Sequence, residues 1–439
     1  MDNKRSYNRR HFIKNSAGAI GTAALISSGL ALHACKNREK TPPGYINFLN
    51  KAVDGRGLTA GIVGCGNRGT GAALDFINAG NDLKITHLAD VFEDKVFECR
   101  DRLYKETGEK ITDLACFSGF DAYKDIMSSN VDVVILATPP YFRPAHFRAA
   151  IESRKHVYME KPAAVDPVGC RSIIATSRMA ERAGLSVVTG TIKRHQPDYM
   201  ETYKRIYNGA VGRITGGNCY YNQGSLWHRK RREEWCDMEY MLKDWVNWSW
   251  LSGDHIVEQH IHNLDVVSWF TGDLPVSALG FGSRQRRKTG DQYDNFSIDF
   301  KYKNNMHIHS MCRQIDGCSN KNEELLRGTE GTTNCVNEIR DRDNNVVWRF
   351  NYPNNNSLKI SPFRQTHIDF VTAIRTNNPI NEAENMANSN LTAIMGRVSA
   401  YTGQEITREE MLASELKLGP DKIKFGKVNI NKNIAIPGV

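Results

Sequence analysis

The 439-residue sequence has no CxxC pair and no His/Cys spacing typical of a metal site. Its ten cysteines are scattered, so neither a zinc ribbon nor a disulfide framework is indicated. There is no internal repeat, and no low-complexity tract beyond the asparagines at 354–356. The most apolar stretch, Ala17 to Leu32, is too short and too rich in small residues for a membrane span. Strong charge of one sign is also missing. The formal net charge is +9, but the first 35 residues carry Lys4, Arg5, Arg9, Arg10 and Lys14 against Asp2, leaving about +5 on the rest. That excess is too small to argue for a nucleic-acid partner. What is present, 40% hydrophobic and 24% charged residues over this length, describes a globular protein of two domains.

Residues 1–35 read as an export leader. Asn8-Arg9-Arg10-His11-Phe12-Ile13-Lys14 is a twin-arginine pattern and the apolar Ala17–Leu32 stretch follows it. The leader ends in Leu32-His33-Ala34-Cys35, which resembles a lipobox, although His33 is unusual there. An exported, periplasmic protein is expected, with any membrane attachment made only through a lipid on Cys35. The twin-arginine route carries folded proteins, so a cofactor would be loaded before export, held tightly and recycled.

Residues 36–56 read as a linker with Pro42-Pro43-Gly44. From Leu58 short apolar strands alternate with helical stretches, which implies a parallel sheet with right-handed crossovers over 57–185. Beyond that the texture changes. Alternating patterns at Ile214–Gln223, Ser277–Gly282, Asn295–Tyr302 and Met306–Arg313 suggest an α+β domain over 186–439, built on a largely antiparallel open sheet. Phe363–Thr376 and Met386–Thr402 read as helices that cap the interface.

The most informative stretch runs from Leu58 to Asn78. An apolar strand ends in Gly64-x-Gly66-x-x-Gly69 and a helix-compatible segment follows. Strand, glycine turn and helix is the order of a Rossmann dinucleotide site, with Asn67 and Arg68 inside the turn. The next apolar run ends in Asp90, about 20 residues downstream, placed to bond ribose hydroxyls. No Arg or Lys follows Asp90 directly, which favours NAD over NADP.

Several further motifs stand in a fixed order: Ala137-Thr138-Pro139-Pro140 with His146 after it, Glu160-Lys161-Pro162, Lys193 to Tyr199, and Glu258-Gln259-His260-Ile261-His262 leading to Trp269-Phe270-Thr271-Gly272. Together with the glycine turn, over roughly residues 58–402, the chain resembles the Gfo/Idh/MocA family of sugar-type oxidoreductases. The resemblance implies a nucleotide site made of Gly64, Gly66, Asn67, Arg68, Gly69, Asp90, Thr138, Pro139, His146, Glu160 and Lys161. It implies Lys161 as the group that stabilises the alkoxide formed as hydride leaves. Glu258 and His262, four apart, share a face if they lie on one helix. His262 is then the general base and Glu258 its partner. The chain departs from the family pattern twice, with Glu258 for Asp and His260 for a small residue. Arg194, Tyr199, Tyr221, Trp227, His228 and His260 are the candidate substrate contacts. His255, His260 and His262 invite a zinc reading, but His260 and His262 diverge on a helix and lack further ligands, so no metal is expected.

The expected activity is NAD-dependent oxidation of a secondary hydroxyl of a sugar or glycoside. The alternative is an NAD-dependent glycosidase, like the α-N-acetylgalactosaminidases of the same superfamily, that oxidises, eliminates, hydrates and reduces in one cycle. A nucleotide-bound protein without activity is a third reading. By analogy with the family, a homo-oligomer (dimer or tetramer) is expected.

Overall fold

Six apolar segments form one parallel sheet in the computed structural model, which describes residues 39–353, 359–429 and 433–438. The leader, Cys35 and the asparagine run lie outside those residues. The strands are β1 (Leu58–Val63), β2 (Leu83–Asp90), β3 (Cys116–Ser118), β4 (Val133–Leu136), β5 (His156–Met159) and β6 (Val187–Thr189). Their order is β3-β2-β1-β4-β5-β6, with every pairing parallel. Helices α1 (Asn67–Ile77), α2 (Glu93–Thr107), α3 (Ala122–Ser128), α4 (Arg143–Glu152) and α5 (Pro167–Arg182) make the crossovers. All four residues of β4 are buried, as the unbroken run Val133-Val134-Ile135-Leu136 requires of a strand covered on both faces. The boundary expected at 185 falls one strand too early, because β6 completes this sheet. A three-residue strand is too short to show which domain claims it from sequence.

The second half is built on a nine-stranded sheet. Its strands are β7 (Ile214–Gln223), β8 (Ser277–Ser283), β9 (Asn295–Lys301), β10 (His307–Gln314), β11 (Lys321–Gly328), β12 (Thr332–Thr333), β13 (Glu338–Arg340), β14 (Val346–Arg349) and β15 (Ile406–Thr407). The order is β14-β13-β12-β11-β7-β10-β9-β8-β15. It is antiparallel throughout except for the central β7–β10 pair, which is parallel. Helices α6 (Pro197–Tyr207), α7 (Asp237–Lys243), α8 (Ser249–Ser252), α9 (His255–Glu258), α10 (Ile261–Thr271), α11 (Pro362–Arg375) and α12 (Ala383–Thr402) complete it. No helix among the described residues is long and apolar enough to cross a membrane.

The expected linker is only partly one. Ala52 is buried and donates its N–H to Ala79 (2.8 Å), and the Tyr45 hydroxyl donates to Glu201 (2.5 Å). The second half of residues 36–56 is thus packed onto the fold.

Helix α12 joins the two halves. Its Asn390 accepts from the Ala163 N–H (2.8 Å) and donates to the Ala164 carbonyl (3.1 Å). Its fully buried Arg397 donates to the carbonyls of Val165 (3.0 Å) and Gly253 (2.7 Å). One helix therefore grips the chain just after Pro162 and just before α9. A second tie is His195, which lies between Asp369 of α11 (2.7 Å) and Glu382 at the start of α12 (3.0 Å). Burial alone would lower this imidazole, but the Glu382 and Asp369 carboxylates outweigh it and push it up to about 10.

Buried neutral histidines set the acid stability. Burial, with Arg143 adding to it, pushes His146 down to about 3. Burial, with His255 and Lys193 adding to it, does the same to His260. Both depressed values lie below that of an unfolded imidazole, roughly 6.5. Their contribution is complete above that pH and is lost as pH falls towards 3, by about 1.4 kcal/mol per pH unit for each. His195, raised instead, contributes fully below roughly 6.5 and loses that contribution as pH rises from there through about 10. Denaturant unfolding at pH 7.5 and 4.5 should therefore show a marked loss at the lower pH, and His260→Gln should flatten the dependence by about one proton. An unchanged slope in that variant would refute this account.

Candidate active site

The glycine turn after β1 is shaped by two close approaches and one opening. Gly64 has φ +101°, and an added Cβ would lie 2.7 Å from the backbone of Ala137 and Thr138. A Cβ on Gly69 would overlap the Gly64 carbonyl oxygen. At Gly66 it would meet nothing within 4 Å. Gly66 also caps α1 without a side-chain hydrogen bond, and no acidic residue sits in the first turn. The helix therefore offers free N–H donors beside an open backbone, which fits a pyrophosphate. Asp90 holds this turn in place. Its Oδ2 accepts from the Cys65 N–H (2.7 Å) and its Oδ1 from the Phe92 N–H (3.0 Å). Each oxygen keeps a lone pair for a ribose hydroxyl. The residues present thus fit a nicotinamide dinucleotide.

Arg68 and Glu160 are engaged with each other. Arg68 Nε lies 2.8 Å from Glu160 Oε1, and its guanidinium also pairs with Asp75 (3.1 Å) and covers the Phe363 ring. Glu160 also accepts from the Tyr158 hydroxyl (3.1 Å). This fastens the start of α1 to the end of β5. His146, expected at the nucleotide site, is buried, packed on Tyr123, and lies 3.3 Å from the Thr138 hydroxyl, which it positions.

Lys161 follows β5 at a cis Lys161–Pro162 bond. Its ammonium donates to Glu258 Oε1 (2.7 Å) and to the Glu258 carbonyl. Two of its three N–H groups are committed, and one is left. The other Glu258 oxygen accepts from Gln259 Nε2, and Gln259 Oε1 accepts from the Tyr221 hydroxyl (3.0 Å). A polar chain thus runs from Tyr221 on β7 to Lys161.

The single helix expected over 258–262 is not there. α9 stops at Glu258, and Gln259 (φ −110°, ψ −53°) turns the chain before α10 begins at Ile261. The start of α9 is also fixed. Buried Asp254 has φ +73° and is held by the N–H of His255 (2.5 Å), the N–H of Tyr293 (3.1 Å) and the Tyr401 hydroxyl (2.5 Å). So Glu258 partners Lys161, not His262.

His262, in the first turn of α10, is half-buried and makes no side-chain hydrogen bond among the described residues. Burial first, then the ammonium groups of Lys161 and Lys193 and the neighbouring His260, hold its imidazole well below the ordinary range. It is therefore neutral, with a lone pair to receive a proton.

Five of the six expected substrate contacts stand outside the Lys161 cluster. His260 is fully buried, 2.7 Å from the Ser310 hydroxyl, so it lies beneath the site. Arg194 forms a two-pronged pair with Asp265 (2.8 and 3.0 Å) and lies over Trp269. Tyr199 is buried and donates to Glu324 (3.2 Å). Trp227 and His228 stand on the exposed loop after β7, where Trp227 packs on Trp245. Tyr221 alone of the set joins the Lys161 cluster. Sequence reasoning missed Gln259 and Lys193. Lys193 pairs with buried Glu324 (2.5 Å) and adds a second ammonium beside His262. Both stand inside motifs already singled out, but only the fold shows where they point.

Two family patterns match this chain: "Oxidoreductase family, NAD-binding Rossmann fold" over residues 58–190, and "GFO/IDH/MocA C-terminal domain" over 199–334. The chain belongs to the Gfo/Idh/MocA oxidoreductase family. Among its relatives, 2,7-anhydro-N-acetylneuraminate hydratase of Escherichia coli (strain K12) is 28% identical over 228 residues, 51% of this chain and 52% of that protein. The alpha-N-acetylgalactosaminidase of Shewanella oneidensis is 25% identical over 228 residues, 51% of this chain and 47% of that one. The chain thus spans about half the length of the curated relatives it matches. Scyllo-inositol dehydrogenase from Lactobacillus casei, solved with bound NAD(H) and scyllo-inositol, superposes with a TM-score of 0.61 at 18% identity, covering 81% of this chain and all of that one. At that identity the likeness concerns the fold.

The Lys161–Glu258 pair gives a direct test. Both side chains are largely buried, and removing one member of such a pair costs about 3–5 kcal/mol because the other charge is left alone. Lys161→Met and Glu258→Gln should each lower unfolding free energy, and the double variant should lose less than their sum. Strict additivity would mean that the pair is not coupled.

Proposed function

We propose that this family member is an NAD-dependent oxidoreductase acting on a secondary hydroxyl of a sugar or glycoside. The observation that carries the reading is the buried Lys161–Glu258 pair, which leaves one N–H of the ammonium uncommitted, in a chain whose glycine turn fits a dinucleotide and whose next helix begins with His262 in its first turn. Lys161 binds the substrate oxygen through that N–H and steadies the negative charge that grows on it. His262 receives the hydroxyl proton at its free ring nitrogen. Glu258 fixes the ammonium, and the Tyr221–Gln259 chain fixes Glu258. A bound dinucleotide supplies the hydride acceptor. Asp90, with no cation directly after it, supports NAD over NADP.

The relatives support a second outcome from the same first step. One is named as a hydratase and another as a glycosidase, activities without net redox. Here the hydride returns to the substrate within one turnover, and the product is a cleaved or hydrated sugar. We also infer export, from the leader, and assembly as a homo-oligomer. Leu279 and Phe281 of β8, 52% and 69% exposed, support a further surface packing on the nine-stranded sheet.

Absorbance at 340 nm during incubation with candidate glycosides separates the readings. Net NADH marks a dehydrogenase, and a released aglycone without NADH marks the glycosidase. Neither product with any sugar would leave a binding protein. Lys161→Ala and His262→Ala should each lower kcat by about 10²–10⁴-fold. Full activity in both would overturn the site. Because His262 is depressed, the acid limb of kcat/KM should lie below pH 6.5, roughly the ordinary imidazole value.

A further inference from the structure

The C-terminal ends of β2, β3 and β4 are covered by an apolar cluster from the second half of the chain. Its buried members are Met238, Met241, Leu242, Trp248, Trp250, Leu251 and Val428. Against it pack Val91 and Phe92 after β2, Phe120 after β3, and Tyr141 and Phe142 after β4. In the sheet order the glycine turn of β1 lies between β2 and β4, so the cluster has footholds on both sides of that turn.

One short segment reaches both sides. Gly419 sits against Tyr141 so closely that an added Cβ would be 2.5 Å from its ring, and its φ of +95° suits glycine. Six residues later the Phe425 ring packs on Phe92 (centroids 6.1 Å) and Phe120 (5.0 Å). Crossing from β4 to β3 is three strand spacings, about 14 Å, and six residues reach up to about 20 Å. The segment is pinned at both ends. The Leu418 N–H donates to Asp166 (2.8 Å), the Gly426 N–H to Cys236 Sγ (3.1 Å) and the Val428 N–H to Asp237 (3.2 Å).

We propose that residues 418–428 form a strap across the adenosine end of the dinucleotide site, making the nucleotide a retained group. This rests on the dinucleotide reading of the glycine turn and names the part of the chain that prevents exchange. Asp90 and Phe92 are adjacent in function. The Asp90 carboxylate would hold the ribose, and Phe92, whose N–H bonds that carboxylate, is the ring that Phe425 covers. Leaving requires the segment between Gly419 and Phe425 to lift.

The test is cofactor content and release, read without substrate. Purified full-length protein is denatured and its nucleotide identified by mass spectrometry, and bound NADH is chased with excess NAD while its fluorescence is followed. Phe425 is 46% exposed, so Phe425→Ala leaves the fold intact, as a melting curve will show. Loss of its two ring contacts should speed NADH release by about tenfold or more. Gly419→Leu, which pushes on Tyr141 from the other end, should act in the same direction. Wild-type protein that neither carries nor binds a dinucleotide would overturn the cofactor reading itself. Binding in the wild type with unchanged release in both variants would overturn the strap alone.

Discussion

The ion pair between Lys161 and Glu258 is the constraint on which the rest of the site depends. One partner comes from the end of β5 in the parallel sheet, the other from the end of α9 in the second half. A buried pair of this kind gains little net stability, because desolvation offsets most of the attraction. What it fixes is geometry. The ammonium can satisfy the carboxylate and the carbonyl of Glu258 only if the two halves meet in one register. Asn390 and Arg397 of α12 enforce that register by gripping Ala163, Ala164, Val165 and Gly253, the backbone on either side of the pair.

The same logic recurs around the pair. Lys193 with Glu324, Arg194 with Asp265, and His195 with Asp369 and Glu382 are all buried and all join separate elements. Each cation is balanced where it stands, so His262 is the polar group left beside them with neither an opposite charge nor a hydrogen bond among the described residues. Its neutrality follows from burial and from two ammonium groups whose anions face elsewhere. The Lys193 ammonium adds to the charges that hold this imidazole down.

The parallel sheet was legible because its signals are local. A strand ending in Gly64-x-Gly66-x-x-Gly69 can turn, admit a phosphate and pack its helix in few other ways, and β4 is apolar along its whole length because both faces are covered. The failures came where distant groups decide. The spacing of Glu258 and His262 suggests one helix, but α9 ends at Glu258 and Gln259 turns the chain before α10 begins. Arg194, Tyr199 and His260 carry polar groups suited to a sugar, and only the positions of Asp265, Glu324 and Ser310 reveal that they are engaged. The nearest sequence clue for Lys193 was its place beside Arg194.

Enclosure and chemistry bear on each other. A nucleotide that does not exchange must be restored before the next turnover, so each cycle has to return the hydride to the same sugar or deliver it to another. Lys161 and His262 serve both directions without rearrangement, since the group that steadies an alkoxide also polarises a ketone, and the base that took a proton can give it back. On the proposed reading, a dehydrogenase with a second sugar as acceptor and a glycosidase with no net redox would use the same Lys161, Glu258, Gln259 and His262. What separates them is the substituent on the carbon β to the transient ketone, next to the carbon whose C–H the ketone acidifies. If a glycosidic oxygen stands there, the acidified C–H favours its loss; if a hydroxyl does, the ketone waits for hydride. On that reading the choice lies with the substrate, and the proton-handling centre stays constant across both outcomes.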